Sequence, residues 1–311
     1  MKVFVSGLVN VETTLRIKGF PVNYYPIDYP FFGIHSDVAG VAYNIAKALI
    51  SLGDEITLFS YTGRDEESAR VRKRLKDAGI SVENIADELT ETPVSVILFD
   101  ESGRRQIYCD LKDIQEKKMT VDDEMTARIE ECDLVVACNI NFNRTLIRRA
   151  KEMGKTIATD VHVISDIEDS FNRDFMECAD ILFLSDEQLP CSPEKFSCRL
   201  AERYGSRIIV TGMGKKGAML YERANNRIYR LEAVKCDNVV NTVGAGDALF
   251  SGFLHHYSKG YSPVEALMRA EIFAAAKIGH NGAAKGFCSG EYIEQVFGEK
   301  KPDVYEVGIP S

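Results

Sequence analysis

Short apolar segments alternate with segments of helical length over the second half of the chain. The apolar segments are residues 134–138, 156–160, 181–184 and 207–211. Buried strands of a parallel sheet appear as short apolar runs, and parallel neighbours need a helix-sized connection. The alternation therefore predicts an α/β fold of three layers (α/β/α), in which helices cover both faces of a mainly parallel sheet.

The first half of the chain begins with the same pattern. Ser36 or Asp37 can cap a helix that ends at Gly53. Asp65 can begin a second amphipathic helix, which ends at Gly79. Strands are predicted at residues 2–6 and 56–60.

Two stretches interrupt the alternation. Two strands are predicted at 93–99 and 105–109, around an Asp-Glu-Ser-Gly turn and with no helix between them. Residues 16–37 are rich in aromatic side chains, and their three prolines exclude a regular helix. We predict one domain over the whole chain, 1–311, with a small β lid inserted into its core. The lid consists of about residues 13–37 and 93–112.

Polar residues follow several of the predicted strands at their C-terminal ends. In open parallel sheets, ligands bind beyond these ends, so such side chains share one edge of the sheet. The residues placed there are Asn10, Asn139, Asp160, Ser185 and Thr211.

The segment 239–254, VVNTVGAGDALFSGFL, carries the strongest functional signal. Gly244, Ala245 and Gly246 precede Asp247, where apolar residues begin to recur at helical spacing. Unpaired N–H groups at a helix N-terminus attract an anion such as phosphate, and small residues let it approach closely. Taken alone, Asp247 could equally be a plain N-cap.

The whole combination of residues in this segment favours the anion site. It resembles the second signature of the PfkB family, the ribokinase-like sugar and nucleoside kinases. The matching residues are Asn241, Thr242, Gly244, Ala245, Gly246, Asp247, Ser251 and Gly252. The resemblance implies an ATP-dependent kinase that transfers the γ-phosphoryl group to a hydroxyl of a sugar or nucleoside. It implies that Asp247 is the catalytic residue and that Gly244, Ala245 and Gly246 form the anion hole.

A second region of resemblance lies nearer the N-terminus. Where the family has a Gly-Gly pair and then an Asn on the next helix, this chain has Ala39-Gly40 and Asn44. Ribokinase-like members also hold acceptor hydroxyls with an aspartate after the first strand, and Glu12 stands there. Its extra methylene moves the carboxylate outward, so the acceptor is expected to differ from ribose. With the strand-end residues, the substrate-binding candidates are Asn10, Glu12, Gly40, Asn44 and Asn139.

Gly212, Gly214 and Gly217 satisfy the pattern G-x-G-x-x-G directly after a predicted strand. In a dinucleotide-binding fold the third glycine opens a helix, whereas two predicted strands around an Asn-Asn turn follow here. We therefore do not expect a dinucleotide-dependent oxidoreductase. The segment resembles the turn beside the nucleotide phosphates in PfkB kinases. The ATP-binding candidates are Thr211, Gly212, Gly214, Gly217, Ser185 and Thr242, with Lys215 and Lys216 as further phosphate partners.

Two departures from the family's pattern concern ions. Its Asn-x-x-Glu motif, which orders Mg²⁺ and phosphate through water, is Ser185-Asp186-Glu187-Gln188 here. We expect Mg²⁺ to be held mainly by ATP phosphates and water, with Asp186 and Glu187 as protein candidates. Potassium-activated members have Asp at the position of Asn241, so dependence on a monovalent cation stays open. The changed motif also allows an alternative, a catalytically degenerate ligand-binding or sensor protein of the same fold.

Composition excludes other classes of partner. A net charge of −9 argues against a nucleic-acid surface, which would be basic. With no apolar run of about 18 residues and no signal-like start, we expect no membrane contact and a cytoplasmic location. The eight cysteines form no close pairs and are expected to be free thiols. The aromatic stretch could stack on a nucleoside base or cover a homodimer contact through the lid.

Overall fold

A large β-sheet forms the centre of the structure. The computed structural model describes residues 1–236, 238–299 and 301–310. In chain order, the strands are β1 (Lys2–Ser6), β2 (Asn10–Arg16), β3 (Ile34–Ala39), β4 (Glu55–Thr62), β5 (Ile85–Asp87), β6 (Val94–Phe99), β7 (Arg105–Asp110), β8 (Leu134–Ala137), β9 (Thr156–Asp160), β10 (Ile181–Ser185), β11 (Ile208–Gly212), β12 (Ala218–Glu222), β13 (Arg227–Leu231) and β14 (Val304–Val307). The helices are α1 (Val41–Ser51), α2 (Glu66–Asp77), α3 (Asp123–Glu131), α4 (Asn143–Glu152), α5 (Arg173–Cys178), α6 (Pro193–Tyr204), α7 (Ala245–Ser258), α8 (Pro263–Ile278) and α9 (Gly290–Glu299).

The strand order confirms the predicted mainly parallel sheet. Over the described residues, the central sheet has ten strands in the order β14-β13-β12-β11-β10-β9-β8-β1-β4-β5. All neighbours from β11 to β5 pair in parallel. The edge from β11 to β14 is antiparallel. The C-terminal ends of the parallel strands therefore share one edge, as the sequence predicts.

Helices cover both faces of this sheet, which confirms the three-layer arrangement. Along β10, alternate residues enter different hydrophobic clusters. Phe183 packs on Phe250 and Phe253 of α7, with ring centroids 4.8 and 5.4 Å apart. Leu182 and Leu184 point to the other face, in a cluster that includes residues of α4 and α6. This alternation is the expected consequence of strand geometry.

A small second sheet lies beside the main one and forms the lid. Its order is β3-β2-β6-β7, with β2 antiparallel to β3, β2 parallel to β6 and β6 antiparallel to β7. The predicted hairpin at 93–109 is thus present as β6 and β7. The strands β2 and β3 flank the aromatic stretch, of which Tyr24 and Phe32 are 88% and 96% exposed.

The predicted start of the first helix is wrong. Ser36 and Asp37 lie in β3, and α1 begins only after Gly40, which caps it without a side-chain hydrogen bond. Asp37 instead pairs with Arg74 and Lys285, so its carboxylate is not available as a cap. The second helix is as predicted, because the Asp65 carboxylate accepts a hydrogen bond from Ser68 N at 2.8 Å.

Two further observations concern the chain as a whole. All eight cysteines are free thiols, and Cys132 and Cys138 are buried. Across residues 1–236, 238–299 and 301–310, no helix has both the length and the apolar character needed to cross a bilayer.

Candidate active site

The first turn of α7 lies at the centre of the candidate site. The helix begins at Ala245, after Gly244, whose φ of 80° is left-handed. Gly246 is exposed, and a methyl group added to it would meet open space. Asp247 follows in the same turn. An open N-terminal turn with a carboxylate beside it has the geometry expected of an anion hole next to a base.

The loop before α7 is held by a close network of contacts. Asn241 is buried, its Oδ1 accepts a hydrogen bond from Val243 N at 2.9 Å, and its Nδ2 donates to Asn281 Oδ1 at 2.9 Å. A methyl group on Gly244 would lie 2.4 Å from the carbonyl oxygen of Ala283. The loop is therefore pre-organised by residues on both sides of it.

Asp247 is partly buried and retains contact with the cleft. Asn44 Nδ2 on α1 donates to Asp247 Oδ2 at 2.7 Å. Burial raises the pKa of Asp247, while the Asn44 hydrogen bond and the positive charges of His162 and Lys277 act in the opposite direction. A raised pKa makes this carboxylate a stronger base than a free aspartate.

Glu12 is the second carboxylate of the cleft. It lies on β2, directly opposite Asp37 of β3 in the lid sheet. Burial and, to a smaller extent, the negative charge of Asp247 raise the pKa of Glu12 to about 7, while the positive charge of Lys277 opposes them. The negative charge of Asp247 therefore acts on Glu12, while a contact of Glu12 with acceptor hydroxyls stays a prediction.

Two amide oxygens near these carboxylates have no hydrogen-bond partner among the described residues. They are Asn10 Oδ1 and Asn44 Oδ1, both fully buried. Asn10 Nδ2 donates to Ser95 Oγ at 2.9 Å, which fixes the amide. Because buried polar groups are normally paired, the two oxygens are suited to accept hydrogen bonds from ligand hydroxyls or water.

The remaining substrate candidates lie in different surroundings. Asn139 is half-buried and donates to Asn172 Oδ1 at 2.9 Å. Gly40 has a φ of 106°, and a methyl group there would lie 2.5 Å from the carbonyl oxygen of Leu8. The requirement for glycine at this position is therefore one of backbone packing, while a backbone contact with a ligand stays a prediction.

Asp160 and His162 form an ion pair at the end of β9. Their Oδ2 and Nδ1 atoms are 3.4 Å apart. Burial alone would lower the pKa of His162, but Asp160, and to a smaller extent Asp247, raise it to about 9. Sequence reasoning placed Asp160 at this edge and missed His162, although the Asp-x-His spacing after a strand was a signal.

The glycine-rich turn after β11 is followed by a hairpin. The strands β12 and β13 are antiparallel, which confirms that the dinucleotide fold is absent from this segment. Thr211 is fully buried, its hydroxyl lies 3.3 Å from Ser197 Oγ, and its backbone lies between β10 and β12, so its contact with ATP stays a prediction. Gly214 and Gly217 have φ values of 56° and 87°.

The segment 185–188 lies next to this turn. Asp186 N donates to the Gly212 carbonyl oxygen at 2.9 Å, and its carboxylate is 3.9 Å from Lys216 Nζ. Ser185 Oγ accepts from Glu187 N at 3.2 Å, and the Glu187 side chain is exposed. In the described ranges, no group of three or more His, Cys, Asp or Glu side chains is arranged to hold a metal ion.

The lid contacts the loop before α7 at two places. Arg105 Nη1 on β7 donates to Thr242 Oγ1 at 3.2 Å. Ala39 and Ile97 of the lid sheet pack with Val243 and Ala283 in a small buried cluster. Arg105 was missed by sequence reasoning, because a charged residue next to an exposed turn gives no signal of a distant partner.

Comparisons with known proteins agree with this arrangement. The family model described as pfkB family carbohydrate kinase matches residues 3–287. An ATP-dependent ribose-1-phosphate kinase of Halopiger xanaduensis is 24% identical over 91% of this chain and 94% of its own length. A fructosamine kinase of Bacillus subtilis is 24% identical over 84% of this chain and 89% of its own length.

Solved structures show the same fold. A microbiome-derived acarbose kinase superposes with a TM-score of 0.86 at 24% identity, covering 96% of this chain and 99% of its own. A ribokinase of Arabidopsis thaliana, complexed with ribose and ATP, superposes with a TM-score of 0.77 at 17% identity, covering 94% and 97%.

The fold, the site and these relatives define a class of enzyme, a phosphotransferase with an alcohol group as acceptor. The chain belongs to the pfkB family of carbohydrate kinases, since that family's model spans nearly all of it. The alternative of a degenerate binding protein finds no support among the relatives, which are named as kinases.

Proposed function

We propose that this protein transfers the γ-phosphoryl group of ATP to a hydroxyl of a small sugar, with Asp247 as the general base. The observation that carries the proposal is the carboxylate of Asp247, held by Asn44 at 2.7 Å beside the open first turn of α7. Burial raises its pKa, which suits a base that must take a proton during the reaction.

The reaction requires that the acceptor hydroxyl and the γ-phosphorus are positioned, and that the negative charge of the transferred phosphoryl group is neutralised. As the acceptor oxygen bonds to the γ-phosphorus, its proton passes to Asp247, and the bond from phosphorus to the β-phosphate oxygen breaks to leave ADP. Negative charge on the transferred group would be met by N–H groups of Gly244, Ala245 and Gly246. Asp247 then returns its proton to solvent.

Acceptor recognition is assigned to Glu12, Asn10 and Asn44. An ionised Glu12 can accept two hydroxyl donors, and the unpartnered amide oxygens of Asn10 and Asn44 can each accept another. Such a set of acceptors suits a polyol. Gly40 and Asn139 complete the proposed substrate site, with Gly40 acting through its backbone.

A polar cavity next to Glu12 suits a sugar as acceptor. It has a volume of about 610 Å³, and its described lining is mostly polar, including Thr14, Asp37, Lys47 and Lys285. The exposed aromatic residues of the 17–33 segment are not part of that lining, but the rings of His35 and Tyr43 are, so the cavity does not separate a sugar from a nucleoside. A nucleoside kinase and a cytidine kinase are among the relatives, and nucleosides are therefore included in the test.

ATP is proposed to bind at the ends of β10 and β11. Its phosphates would approach Gly212, Gly214, Gly217, Ser185 and Thr242, which surround the end of the strand that carries Thr211. Mg²⁺, when bound, would neutralise phosphate charge. The residues present fit an ion held mainly by phosphate oxygens and water, because Asp186 and Glu187 are oxygen donors without a cage around them.

The experiment is an ADP-release screen with Mg²⁺ and ATP over pentoses, hexoses, amino sugars, sugar phosphates and nucleosides. We expect one class of sugar to raise ADP release well above the rate without acceptor. A screen in which only nucleosides are active would replace the sugar as substrate. If no acceptor raises the rate although ATP binds, the degenerate binding protein would take the place of the kinase.

We further propose a second copy of this chain as partner, in contact through the lid. The support is the aromatic segment between β2 and β3, in which Tyr24, Phe31 and Phe32 are 88%, 77% and 96% exposed. Contiguous exposed apolar surface of this kind is typical of a contact between proteins. The proposed location of the enzyme is the cytoplasm, where ATP is available.

A further inference from the structure

Lys277 is a buried lysine directly behind the loop that precedes α7, residues 240–244. It lies in the last turn of α8, and its side chain is fully buried. Its Nζ donates to the carbonyl oxygen of Asn241 at 3.4 Å. The N–H groups of Val240 and Asn241 donate to the Ile278 carbonyl oxygen at 2.9 and 3.1 Å. Three hydrogen bonds thus join the end of α8 to the start of the loop.

Burial of an ammonium group costs free energy unless other groups stabilise its charge. Burial lowers the pKa of Lys277 to about 8, while the negative charges of Asp247 and Glu12 oppose this shift. An apolar residue of similar length would fill the same space without loss of hydration. Retention of a lysine here therefore points to a use for its charge.

The positive charge acts on the reacting groups of the site. Lys277 lowers the pKa of both Asp247 and Glu12 through space, and Arg105 of the lid is the other cation that faces it. Two carboxylates and the phosphates of ATP bring negative charge to this cleft, and His162 also opposes the negative charge of Asp247. Lys277 offsets part of that charge from behind the loop, where no ligand displaces it.

The contacts of Asn241 show whether a monovalent cation could bind at this loop. Potassium-activated members of the family have Asp at this position, whereas the residue here is the uncharged Asn241. Its Oδ1 accepts from Val243 N, and its carbonyl oxygen already faces the ammonium of Lys277. A second cation at these oxygens would be repelled by the first. The residues present do not fit a bound potassium ion.

We propose that the Lys277 ammonium is a built-in cation, which holds the loop from Val240 to Gly244 in place and makes the reaction independent of monovalent ions. The inference rests on the proposed kinase function and concerns the same site. Lys277 is a positioning residue, since it acts on the transferred group through the Asn241 carbonyl and through its charge.

The test compares wild type, Lys277→Ala and Lys277→Met in tetramethylammonium chloride and in KCl at equal ionic strength. For the wild type, kcat should differ by less than about twofold between the salts. Both variants should lose at least about tenfold in kcat in tetramethylammonium, with a smaller change in the acceptor KM. Only Lys277→Ala leaves space for an ion, so only this variant should recover in KCl. Lys259→Ala, which removes an exposed lysine after α7, is the matched control.

Thermal unfolding provides a readout that does not depend on turnover. An ion that binds the folded protein raises its Tm. We expect KCl, relative to tetramethylammonium chloride, to raise the Tm of Lys277→Ala but not of the wild type or of Lys277→Met.

Several results would overturn the inference. Strong activation of the wild type by K⁺ would mean that Lys277 does not replace an ion. The comparison of wild-type kcat in the two salts gives this answer even if Lys277→Ala does not fold. Loss of kcat in Lys277→Ala without recovery in KCl would assign the lysine to packing. A wild type without acceptor-dependent turnover in any salt would instead contradict the proposed function.

Discussion

At the scale of single residues, Glu12 and Asp247 have the same physical character. Burial raises the pKa of both carboxyl groups, and the negative charge of Asp247 adds to the shift of Glu12. Such groups reduce the stability of the fold at neutral pH. Residues that cost stability in this way are concentrated at functional sites, where binding or catalysis requires them.

The substitution Glu12→Gln should raise stability and lower activity. Since the folded-state pKa of about 7 lies above the ordinary 4.5, the contribution of Glu12 to the stability of the wild type is largest at low pH and is lost as the pH rises through about 7. At pH 8 the variant should be more stable by about 1–3 kcal/mol, and at pH 5 the difference should shrink. Thermal unfolding at both pH values measures this. An equal effect at pH 5 and pH 8 would contradict the raised pKa.

The sequence identified some residues of the site and could not identify others. The segment around Asp247 is local, so its small residues and helical periodicity are visible in the chain itself. The contacts of Arg105 and Lys277 are made over long distances in sequence, whereas His162 pairs with Asp160 only two residues away. A lysine near the end of a helix is ordinarily a solvated charge, and only the packing of α8 against the 240–241 segment shows that Lys277 is buried.

At the scale of elements, the start of α7 combines two glycines with different roles. Gly244 needs its left-handed backbone and has no room for a methyl group. Gly246 has an ordinary backbone and open space around it. The first glycine therefore shapes the loop, and the second leaves open space at the first turn of α7, where the anion hole is proposed.

These two roles should separate in alanine variants. Gly244→Ala should destabilise the protein by about 1–3 kcal/mol or more, because of strain and the clash with Ala283. Gly246→Ala should leave the free energy of unfolding within about 1 kcal/mol, yet lower kcat/KM for ATP by at least about tenfold. Chemical denaturation and steady-state kinetics measure the two effects. Unchanged kinetics in Gly246→Ala would argue against an anion hole at this turn.

The lid is expected to protect the phosphoryl group from water. Its contact with the loop is the hydrogen bond from Arg105 to Thr242 at 3.2 Å. In Arg105→Ala, ATP hydrolysis without acceptor should rise severalfold relative to acceptor-dependent turnover, because the site is less well closed. The neighbouring Arg104, whose partner is Asp100 in the hairpin turn, provides the control variant Arg104→Ala. If wild-type ATP hydrolysis is equally fast with and without acceptor, the lid does not exclude water.

The sequence predicted the types of the secondary-structure elements better than their first and last residues. The alternation of apolar and amphipathic segments is a local pattern, so the parallel sheet and most of its strands were identified. The start of α1 was not, because Ser36 and Asp37 have the side chains of helix caps but are taken into β3 by pairing with β2. The pairing of β2 with β6 joins residues far apart in sequence, which no local pattern reveals.

At the scale of the whole molecule, the lid presents exposed aromatic side chains that the other described residues do not cover. We expect a homodimer, with a mass in solution twice the 34.7 kDa of the chain. The double substitution Phe31→Ser and Phe32→Ser should shift the equilibrium towards the monomer, because it removes exposed aromatic surface. Tyr292→Ser, at a distant exposed ring on α9, should not. Sedimentation that shows only monomer for the wild type would refute this contact.

The proposed reaction depends on Asp247 as the base of a phosphoryl transfer to a sugar hydroxyl. Steady-state kinetics of Asp247→Asn with the acceptor found in the screen, together with ATP binding by calorimetry, tests it most directly. We expect kcat to fall at least about 100-fold while the Kd for ATP changes little, because the base is lost and the anion hole is not. A variant that binds ATP normally and turns over its acceptor at the wild-type rate would contradict the claim.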